Sequence, residues 1–259
     1  MKNLLLIVFL AGLFVTGCKI KDKQPPVIII NGDNPMTVTL GTMWTDPGAT
    51  ADDNVDGSSL TNSIEVTHNI NIYGSANGNG ITKYADTCAV TYTVKDIAGN
   101  VGTATRTVYV KNSAEKYATT YTQTVNAGNE YIVKDTTVPT AVNLTYDNRI
   151  NNRIYFPKLG YYINTQHNTI KVYGDIIGND TINVPAQYFA FWEGTTRCLY
   201  IVSGVLNESI ILDAIDYNIQ VTYQINELYY DQTLGTVSWN DSLWEVIHND
   251  EVVDTYVRY

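Results

Sequence analysis

Hydrophobic and polar residues alternate along most of the chain, which is the pattern of a β-strand with one face in a core and the other in water. The clearest case is "YNIQVTYQINEL", where Ile219, Val221 and Tyr223 alternate with polar residues. No segment shows a sustained apolar spacing of three and four residues, so the pattern does not predict helices. The sequence therefore predicts an all-β protein.

Five strands are predicted in residues 25–110, separated by Gly, Asp and Asn clusters that mark turns. They are "VIIIN", "MTVTL", "IEVTHNI", "CAVTYTV" and "GTATRTVYV". Between the last two strands lies "KDIAGN", where Gly99 and Asn100 can take positive φ and close a hairpin. Short strands with regular turns over about 85 residues predict an immunoglobulin-like β-sandwich.

A second β-domain is predicted in residues 121–259, after a linker, "KNSAEKYATT", at residues 111–120. Its predicted strands are "EYIVKDTTV", "AVNLTY", "RIYFPKLGYYI", "TIKVYGDII", "TINVPAQYFAFW", "CLYIVSGVL", "SIILDAI", "YNIQVTYQI" and "TVSWNDSLWEVI". That many strands need a larger C-terminal β-sandwich or a barrel-like domain, because stacking or closure protects the strand edges.

The first residues of the chain have the layout of a secretory signal: Lys2, an apolar block at residues 4–15, then small residues. The block is too short to span a bilayer, which needs roughly 20 apolar residues. Its end, "LFVTGC", resembles a bacterial lipoprotein signal, in which the cysteine is acylated and the chain is cut just before it. The alternative is an ordinary signal peptide with a chance cysteine.

The lipoprotein resemblance implies removal of residues 1–17, a lipid on Cys18 and a short lipidated spacer at residues 18–24. The membrane is then a partner through the lipid anchor, and the expected location is the cell envelope, at the outer membrane. An outward-facing position on the cell surface is compatible with the sequence, although the chain has Asp22 alone where some exported lipoproteins carry an acidic cluster.

The balance of charges argues against nucleic acid as a partner. The chain has 16 Lys and Arg residues against 26 Asp and Glu residues, which gives a net charge of −10. Binding to phosphates needs clustered Lys and Arg, and the basic residues here are scattered apart from "KIKDK" beside Cys18.

Cys88 and Cys198 are too few for a disulfide framework in an exported protein of this size. The alternation in "TCAVTYTV" puts Cys88 on the same face as Val90 and Tyr92, which favours a buried thiol. A bridge between Cys88 and Cys198 stays open as an alternative, and it would join the two predicted domains.

The residues of the first domain resemble a known family. "PPVIIINGDNPMTVTLGTMWTDPGATADDNVDG", continued by "VTYTVKDIAGNVGTATRTVYV", is similar to the bacterial surface Ig-like domain and to Ig-like modules of some pesticidal crystal toxins. The segment "NIYGSANGNGITKYADT" is longer than the turn that this family usually has there. The resemblance implies a spacer or a binding module and no catalysis. "VYGDIIGNDTINVPAQ", together with "YNIQVTYQI", resembles the C-terminal β-domain of glycan-associated surface lipoproteins.

A calcium site is conceivable at one end of the first domain, where several aspartates occur in predicted loops. Oxygen-rich loops suit Ca²⁺, which takes six to eight oxygen ligands. The alternative is that Asp, Asn and Gly are there as turn formers. No other cofactor is predicted. The candidate ligands are Asp46, Asp52, Asp53, Asp56 and Asp96.

Candidate ligand-binding residues in the second domain are Trp192, Trp239 and Trp244. Flat aromatic rings can cover the apolar faces of sugars while neighbouring Asn and Asp bind hydroxyl groups. The alternative is that these rings pack in the core. Trp239 and Trp244 flank the polar "NDSL" segment, which favours exposure of at least one ring.

No catalytic motif is present in the sequence. The three histidines lie far apart, and neither a G-x-S-x-G elbow nor an H-E-x-x-H helix occurs. We therefore expect a non-catalytic binding module for glycans, other extracellular ligands or neighbouring envelope proteins. The alternatives are a structural or adhesive spacer lipoprotein, and a glycosidase with an unrecognised acid pair, for which Glu193 and Glu245 are the first candidates.

Overall fold

The described part of the chain consists of strands, turns and two short 3₁₀ helices, which confirms the prediction of an all-β fold. The computed structural model describes residues 21–76, 78–127, 140–157, 172–178, 181–191, 197–202, 209–211, 219–230 and 244–258. Within these ranges, none of the helical segments has the length and hydropathy that a membrane crossing requires.

Nine strands form in residues 21–111 as far as the structure describes them. They are β1 (Val27–Ile30), β2 (Met36–Thr39), β3 (Met43–Trp44), β4 (Ala49–Asp52), β5 (Glu65–His68), β6 (Ile72–Ala76), β7 (Asn79–Thr82), β8 (Asp86–Lys95) and β9 (Val101–Lys111). A 3₁₀ helix, Gly57–Ser63, joins β4 to β5. The sheets run in the orders β1-β4, β2-β9-β8-β5 and β3-β7-β6. All five strands predicted here are present, as β1, β2, β5, β8 and β9.

The chain divides into two compact units. The described residues of the first unit are 21–36, 46–70 and 88–108, and those of the second unit are 37–45, 71–76, 78–87 and the described residues from 109 onwards.

The core of the first unit is built on the inward face of β8. Cys88, Val90, Tyr92 and Val94 are each at most 3% exposed, as their alternation predicts. Val94 packs with Ala51 and Leu60, and Ile28 and Ile64 close the cluster at its edge. These contacts hold β4 and the 3₁₀ helix against β8, and so fix the loops that follow β4 and β8.

A buried arginine on β9 also organises the first unit. Arg106 is fully buried, and its guanidinium donates to the backbone carbonyls of Asn31 (2.6 Å), Gly48 (3.2 Å) and Asp33. Its Nε donates to the Tyr92 hydroxyl at 3.1 Å and lies 3.6 Å from the Asp46 carboxylate. Buried charges are tolerated when they are paired and hydrogen-bonded, and here a carboxylate, a hydroxyl and three carbonyls surround the cation.

The segment that departs from the Ig-like family forms a hairpin in the second unit. Strands β6 and β7 pair antiparallel, with Tyr73 opposite Ile81, and β3 adds to β7 with Met43 opposite Ile81. Gly80 is required by close packing, since a Cβ there would come within 2.4 Å of the Tyr73 carbonyl oxygen. The sequence did not predict these strands.

Eleven further strands are described in the second unit. They are β10 (Thr120–Ala127), β11 (Thr140–Asn143), β12 (Thr145–Tyr146), β13 (Arg153–Phe156), β14 (Val172–Ile177), β15 (Thr181–Asn183), β16 (Gln187–Phe191), β17 (Arg197–Val202), β18 (Ser209–Ile211), β19 (Ile219–Tyr230) and β20 (Trp244–Arg258). Their main order is β11-β10-β20-β19-β18-β15-β14-β13-β12, and β17 pairs with both β16 and β19. The predicted strand "EYIVKDTTV" lies outside the described residues.

Strands β13 to β15 bury one face and leave the other half-exposed, as their alternation requires. The buried side chains are Ile154, Phe156, Val172, Ile176, Ile182 and Val184. Gly174 lies among them, and a Cβ at this position would come 2.6 Å from Ile182 Cγ2. Because Gly174 has no side chain, Ile182 of β15 can pack directly against β14.

The segment predicted as a linker is hydrogen-bonded into the second unit through Asn112. This side chain is 2% exposed and donates to the carbonyls of Asp147 (2.5 Å) and Ile150 (2.8 Å). Its Oδ1 accepts from the backbone N–H groups of Ala114 and Asn152, at 2.8 and 2.9 Å. A short 3₁₀ helix, Glu115–Tyr117, follows before β10 begins.

Candidate functional site

Residues 22–26 lie against the β8–β9 turn of the first unit. The side-chain amide of Asn100 donates to the carbonyls of Asp22 (3.4 Å) and Gln24 (3.2 Å). Pro26 is buried beside Gly102, where an added Cβ would come within 2.1 Å of the Pro26 carbonyl oxygen. The prediction that the spacer extends to residue 24 is therefore wrong at its end, because the chain is part of the folded unit from Asp22 onwards. Cys18 lies outside the described residues.

Three aspartates converge at this end of the first unit. One carboxylate oxygen each of Asp22, Asp53 and Asp96 lies within 4.8 Å of the other two. Asp53 and Asp96 are buried, at 9% and 5% exposure, and Asp22 is half-buried. The three residues come from the N-terminal segment, the loop after β4 and the loop after β8. We call them the acidic cluster.

Tight turns fix the two buried carboxylates. Asp53 Oδ1 accepts hydrogen bonds from the backbone N–H groups of Val55 (2.9 Å) and Asp56 (3.0 Å). Asp96 accepts at 2.6 Å from both the backbone N–H and the side-chain amide of Asn100. Burial acts to raise the pKa of Asp96, but the hydrogen bonds from Asn100 and the loop backbone outweigh it and lower that pKa below its ordinary value.

The β8–β9 turn forms as the sequence predicts, with one difference. Gly99 has a φ of +95° and donates its backbone N–H to the Asp96 carbonyl at 3.2 Å. Asn100 is not among the described residues with positive φ; its side chain instead joins Asp96 to the N-terminal segment. The turn therefore both reverses the chain and positions one carboxylate of the acidic cluster.

The structure separates the five aspartates that the sequence grouped. Asp53 and Asp96 belong to the acidic cluster, and Asp56 lies beside it, accepting from the backbone N–H of Ile97 at 3.0 Å. Asp46 lies with Arg106, and Asp52 is exposed at the end of β4, opposite Val27. Asp22 was missed as a candidate because sequence reasoning placed it in the spacer.

The tryptophans named as ligand-binding candidates cannot be placed as a site. Trp192 and Trp239 lie outside the described residues. Trp244 is the first residue of β20, where its backbone pairs with Tyr230 of β19. All three stay predictions.

A half-exposed face with aromatic and polar side chains occurs on β13 to β15 instead. It consists of Arg153, Tyr155, Tyr173, Asp175 and Asn183, which we call the outer face. The register places Tyr155 directly opposite Tyr173, and it places Asp175 opposite both Arg153 and Asn183. Sequence reasoning named these strands without singling out this face, although the alternation in "RIYF" and "VYGDII" signals it.

The side chains of the outer face are held in a network. Arg153 donates to both carboxylate oxygens of Asp175, at 2.7 and 2.9 Å. Its guanidinium carbon lies 3.7 Å from the centre of the Tyr173 ring. The rings of Tyr155 and Tyr173 meet edge to face, with centres 6.4 Å apart and planes at 71°. Such cation–π and aromatic pairs hold each side chain in one orientation.

Two further hydrogen-bonding partners, one for each tyrosine, stabilise this network. The Tyr155 hydroxyl donates to Asp147 Oδ2 at 2.5 Å. Burial and this hydrogen bond raise the pKa of Tyr155 to about 12. The side chain of Gln187 pairs with the backbone of Tyr173, accepting from its N–H at 3.0 Å and donating to its carbonyl at 2.8 Å. The fold itself therefore holds the aromatic pair in position.

Comparison with known proteins identifies the first domain. Residues 28–110 match the family described as "Bacterial surface protein, Ig-like domain", which confirms the resemblance of this region. The chain thus carries an Ig-like domain of the bacterial surface type. No curated protein matches the chain in sequence.

Among solved structures, a lipoprotein from Bacteroides thetaiotaomicron is similar, with 13% sequence identity and a TM-score of 0.31. The similarity covers 89% of this chain and 99% of that lipoprotein. The resemblance of residues 121–259 to a domain of glycan-associated lipoproteins stays a prediction.

Proposed function

We propose that this protein is a lipid-anchored, non-catalytic binding protein of the bacterial cell envelope, and that its C-terminal β-domain binds glycans. The Ig-like domain at residues 28–110 supports the location, since its family is described as a bacterial surface protein domain. The lipid anchor rests on "LFVTGC", which ends at Cys18. We place the anchor in the outer membrane, where several acyl chains, at about 0.8 kcal/mol per buried CH₂, hold the protein durably.

The proposal that the ligands are glycans rests on the outer face. Sugars are bound by flat aromatic rings that cover the apolar face of a pyranose and by side chains that exchange hydrogen bonds with hydroxyl groups. Tyr155 and Tyr173 supply rings, while Arg153, Asp175 and Asn183 supply donors and acceptors. These five side chains are partly exposed and lie on one side of three neighbouring strands.

Preorganisation adds to the argument. A ligand that binds flexible side chains must order them, at about 0.5–1.5 kcal/mol for each immobilised side chain. Asp175 already holds Arg153, and Asp147 already holds Tyr155. These side chains have already lost conformational entropy on folding, so a sugar that binds here does not have to order them.

One contact favours the alternative of a structural or adhesive spacer. The Arg153 guanidinium lies over the ring of Tyr173, so one side of this ring is already covered. On this alternative the outer face stabilises the sheet through cross-strand pairs, each of which contributes roughly 0.2–1 kcal/mol. The two functions differ in a single measurable property, which is affinity for a glycan.

The test is a glycan-array screen of the full-length lipidated protein in detergent micelles, followed by calorimetric titration with the glycans that bind. Tyr173→Ala should weaken binding about five- to thirtyfold, because a stacking ring contributes on the order of 1–2 kcal/mol. The matched control is Tyr73→Ala, which removes a 61% exposed ring from β6, a strand of a different sheet, and should leave affinity unchanged.

The same titration tests the tryptophan candidates. If Trp239→Ala or Trp244→Ala abolishes binding while Tyr173→Ala does not, the glycan site lies there and not on the outer face. The absence of any bound glycan across the array would favour the spacer. Release of reducing sugar from a bound polysaccharide would identify a glycosidase and overturn the non-catalytic assignment.

A further inference from the structure

Two oxygens of the acidic cluster are buried without a hydrogen-bond donor among the described residues. They are Oδ2 of Asp22 and Oδ2 of Asp53. The other oxygen of each carboxylate is satisfied, since Asp22 Oδ1 accepts from the backbone N–H of Gln24 and Asp53 Oδ1 accepts from two backbone N–H groups. Asp53 as a whole is 9% exposed, so water has little access to its second oxygen.

The cluster also lacks a basic partner in the part of the chain that the structure describes. The ion pairs found there join Arg106 to Asp46, Lys111 to Glu115 and Arg153 to Asp175, and none of them reaches the cluster. Burying carboxylates together without a counter-charge is costly, because desolvation and mutual repulsion both oppose it. A bound cation removes both costs.

We infer that Asp22, Asp53 and Asp96 form a Ca²⁺ site that fastens the N-terminal segment to the Ig-like domain. Oxygen ligands lie about 2.3–2.6 Å from Ca²⁺, so two of them around one ion are at most about 5.2 Å apart. The cluster oxygens lie within 4.8 Å of one another, which is inside this limit for each pair. This site is independent of glycan binding.

The rigidity of the ligands favours Ca²⁺ over Mg²⁺. Magnesium binds oxygens at about 2.0–2.1 Å and demands a near-ideal octahedron. The carboxylates of Asp53 and Asp96 are fixed by the backbone of two turns and cannot easily draw together. Calcium accepts irregular sites and takes its remaining ligands from water or backbone carbonyls.

The test is calorimetric titration of Ca²⁺ into the full-length lipidated protein, after treatment with a chelator, in detergent micelles. We expect one Ca²⁺ per chain, with weaker binding of Mg²⁺. Asp22→Asn and Asp53→Asn should each weaken Ca²⁺ binding at least tenfold. The matched control is Asp52→Asn, which changes an exposed neighbour outside the cluster and should leave the affinity unchanged.

Thermal unfolding gives a second readout. With Ca²⁺ at a hundred times its Kd, the Tm of the wild-type Ig-like domain should exceed its value in chelator by about 10–20 °C. The site does not exist if the wild type shows no binding heat and the same Tm in both conditions, or if Asp22→Asn binds Ca²⁺ as the control does. Asp22 is half-buried in a terminal segment, so this variant keeps the test decisive even if Asp53→Asn fails to fold.

Discussion

Arg106 Nε and Asp46 Oδ1 lie 3.6 Å apart inside the Ig-like domain, and the Tyr92 hydroxyl bridges them with hydrogen bonds of 3.1 and 2.6 Å. The guanidinium also holds the carbonyls of Asn31 and Gly48. One side chain of β9 thereby ties down the segment that follows β1 and the segment that precedes β4. Its loss affects both segments at once.

Arg106→Ala is therefore expected to destabilise the protein by at least about 3 kcal/mol, because it leaves the Asp46 carboxylate without its counter-charge and several carbonyls without their buried donor. Urea unfolding measures the change. Arg149→Ala removes an exposed arginine and serves as the control, with an expected effect within about 0.5 kcal/mol. Equal stability of the two variants would mean that the Arg106 network contributes nothing net.

Asn112→Ala should lower the free energy of unfolding by at least about 2 kcal/mol. The substitution removes four hydrogen bonds and leaves partly buried backbone groups of residues 147–152 without these partners, where a fully buried group would cost about 1–3 kcal/mol. Asn151→Ala, which removes one bond to the backbone N–H of Ser113, is the matched comparison and should cost less. Thermal unfolding of both variants measures the two losses of stability. A larger loss in Asn151→Ala than in Asn112→Ala would contradict the prediction.

The pH dependence of Tyr155 follows from its contact with Asp147. The folded-state pKa of about 12 lies above the ordinary value of 10.0, so the neutral phenol is favoured in the folded protein. This contribution to stability is fully present below about pH 10 and is lost as the pH rises through 12. Tyrosinate absorbance at 295 nm should show one transition near pH 12 that Tyr155→Phe lacks.

Asp147→Asn provides the check on the cause. Without the carboxylate, the pKa of Tyr155 should fall towards its ordinary value, since one of the two main contributions is removed. An unchanged alkaline titration in Asp147→Asn would show that burial alone sets this pKa.

Cys18→Ala should leave the protein without lipid and release it from the membrane fraction, because the thiol of this residue is the proposed site of acylation. Mass spectrometry of the wild-type N-terminus measures the lipid directly. Intact wild-type protein that begins at another residue and carries no acyl mass would contradict the anchor.

The alternating strands β8 and β9 were predictable, whereas β3, β4, β6 and β7 were not. In β8 and β9, apolar and polar residues alternate over ten or more residues, so the core face can be recognised in the sequence. Strands β3, β4, β6 and β7 have two to five residues. Strand β4, with the sequence "ATAD", has no strong alternation, and it is a strand because its backbone pairs with β1. Such pairing depends on tertiary contacts that local sequence does not encode.

The acidic cluster was predictable in part for a related reason. Asp53 and Asp96 lie in loops that a sandwich brings to one end, so their proximity follows from the predicted fold. Asp22 joins them because Asn100 binds the N-terminal segment, a contact that no local pattern signals. Asp46 also lies in a predicted loop, but its carboxylate pairs with the buried guanidinium of Arg106 and does not join the cluster.

Docking of the N-terminal segment at Asp22 also sets how far the proposed lipid anchor would let the protein stand from the bilayer. Between an acylated Cys18 and Asp22 the tether has four peptide units, which reach at most about 14 Å when fully extended. The headgroup layer of one leaflet is itself about 5–8 Å thick. With the proposed lipid on Cys18, we therefore expect the acidic cluster and the 88% exposed Ile97 beside it to lie close to the headgroups. A ligand would then approach a protein that is held at a nearly constant height above the bilayer.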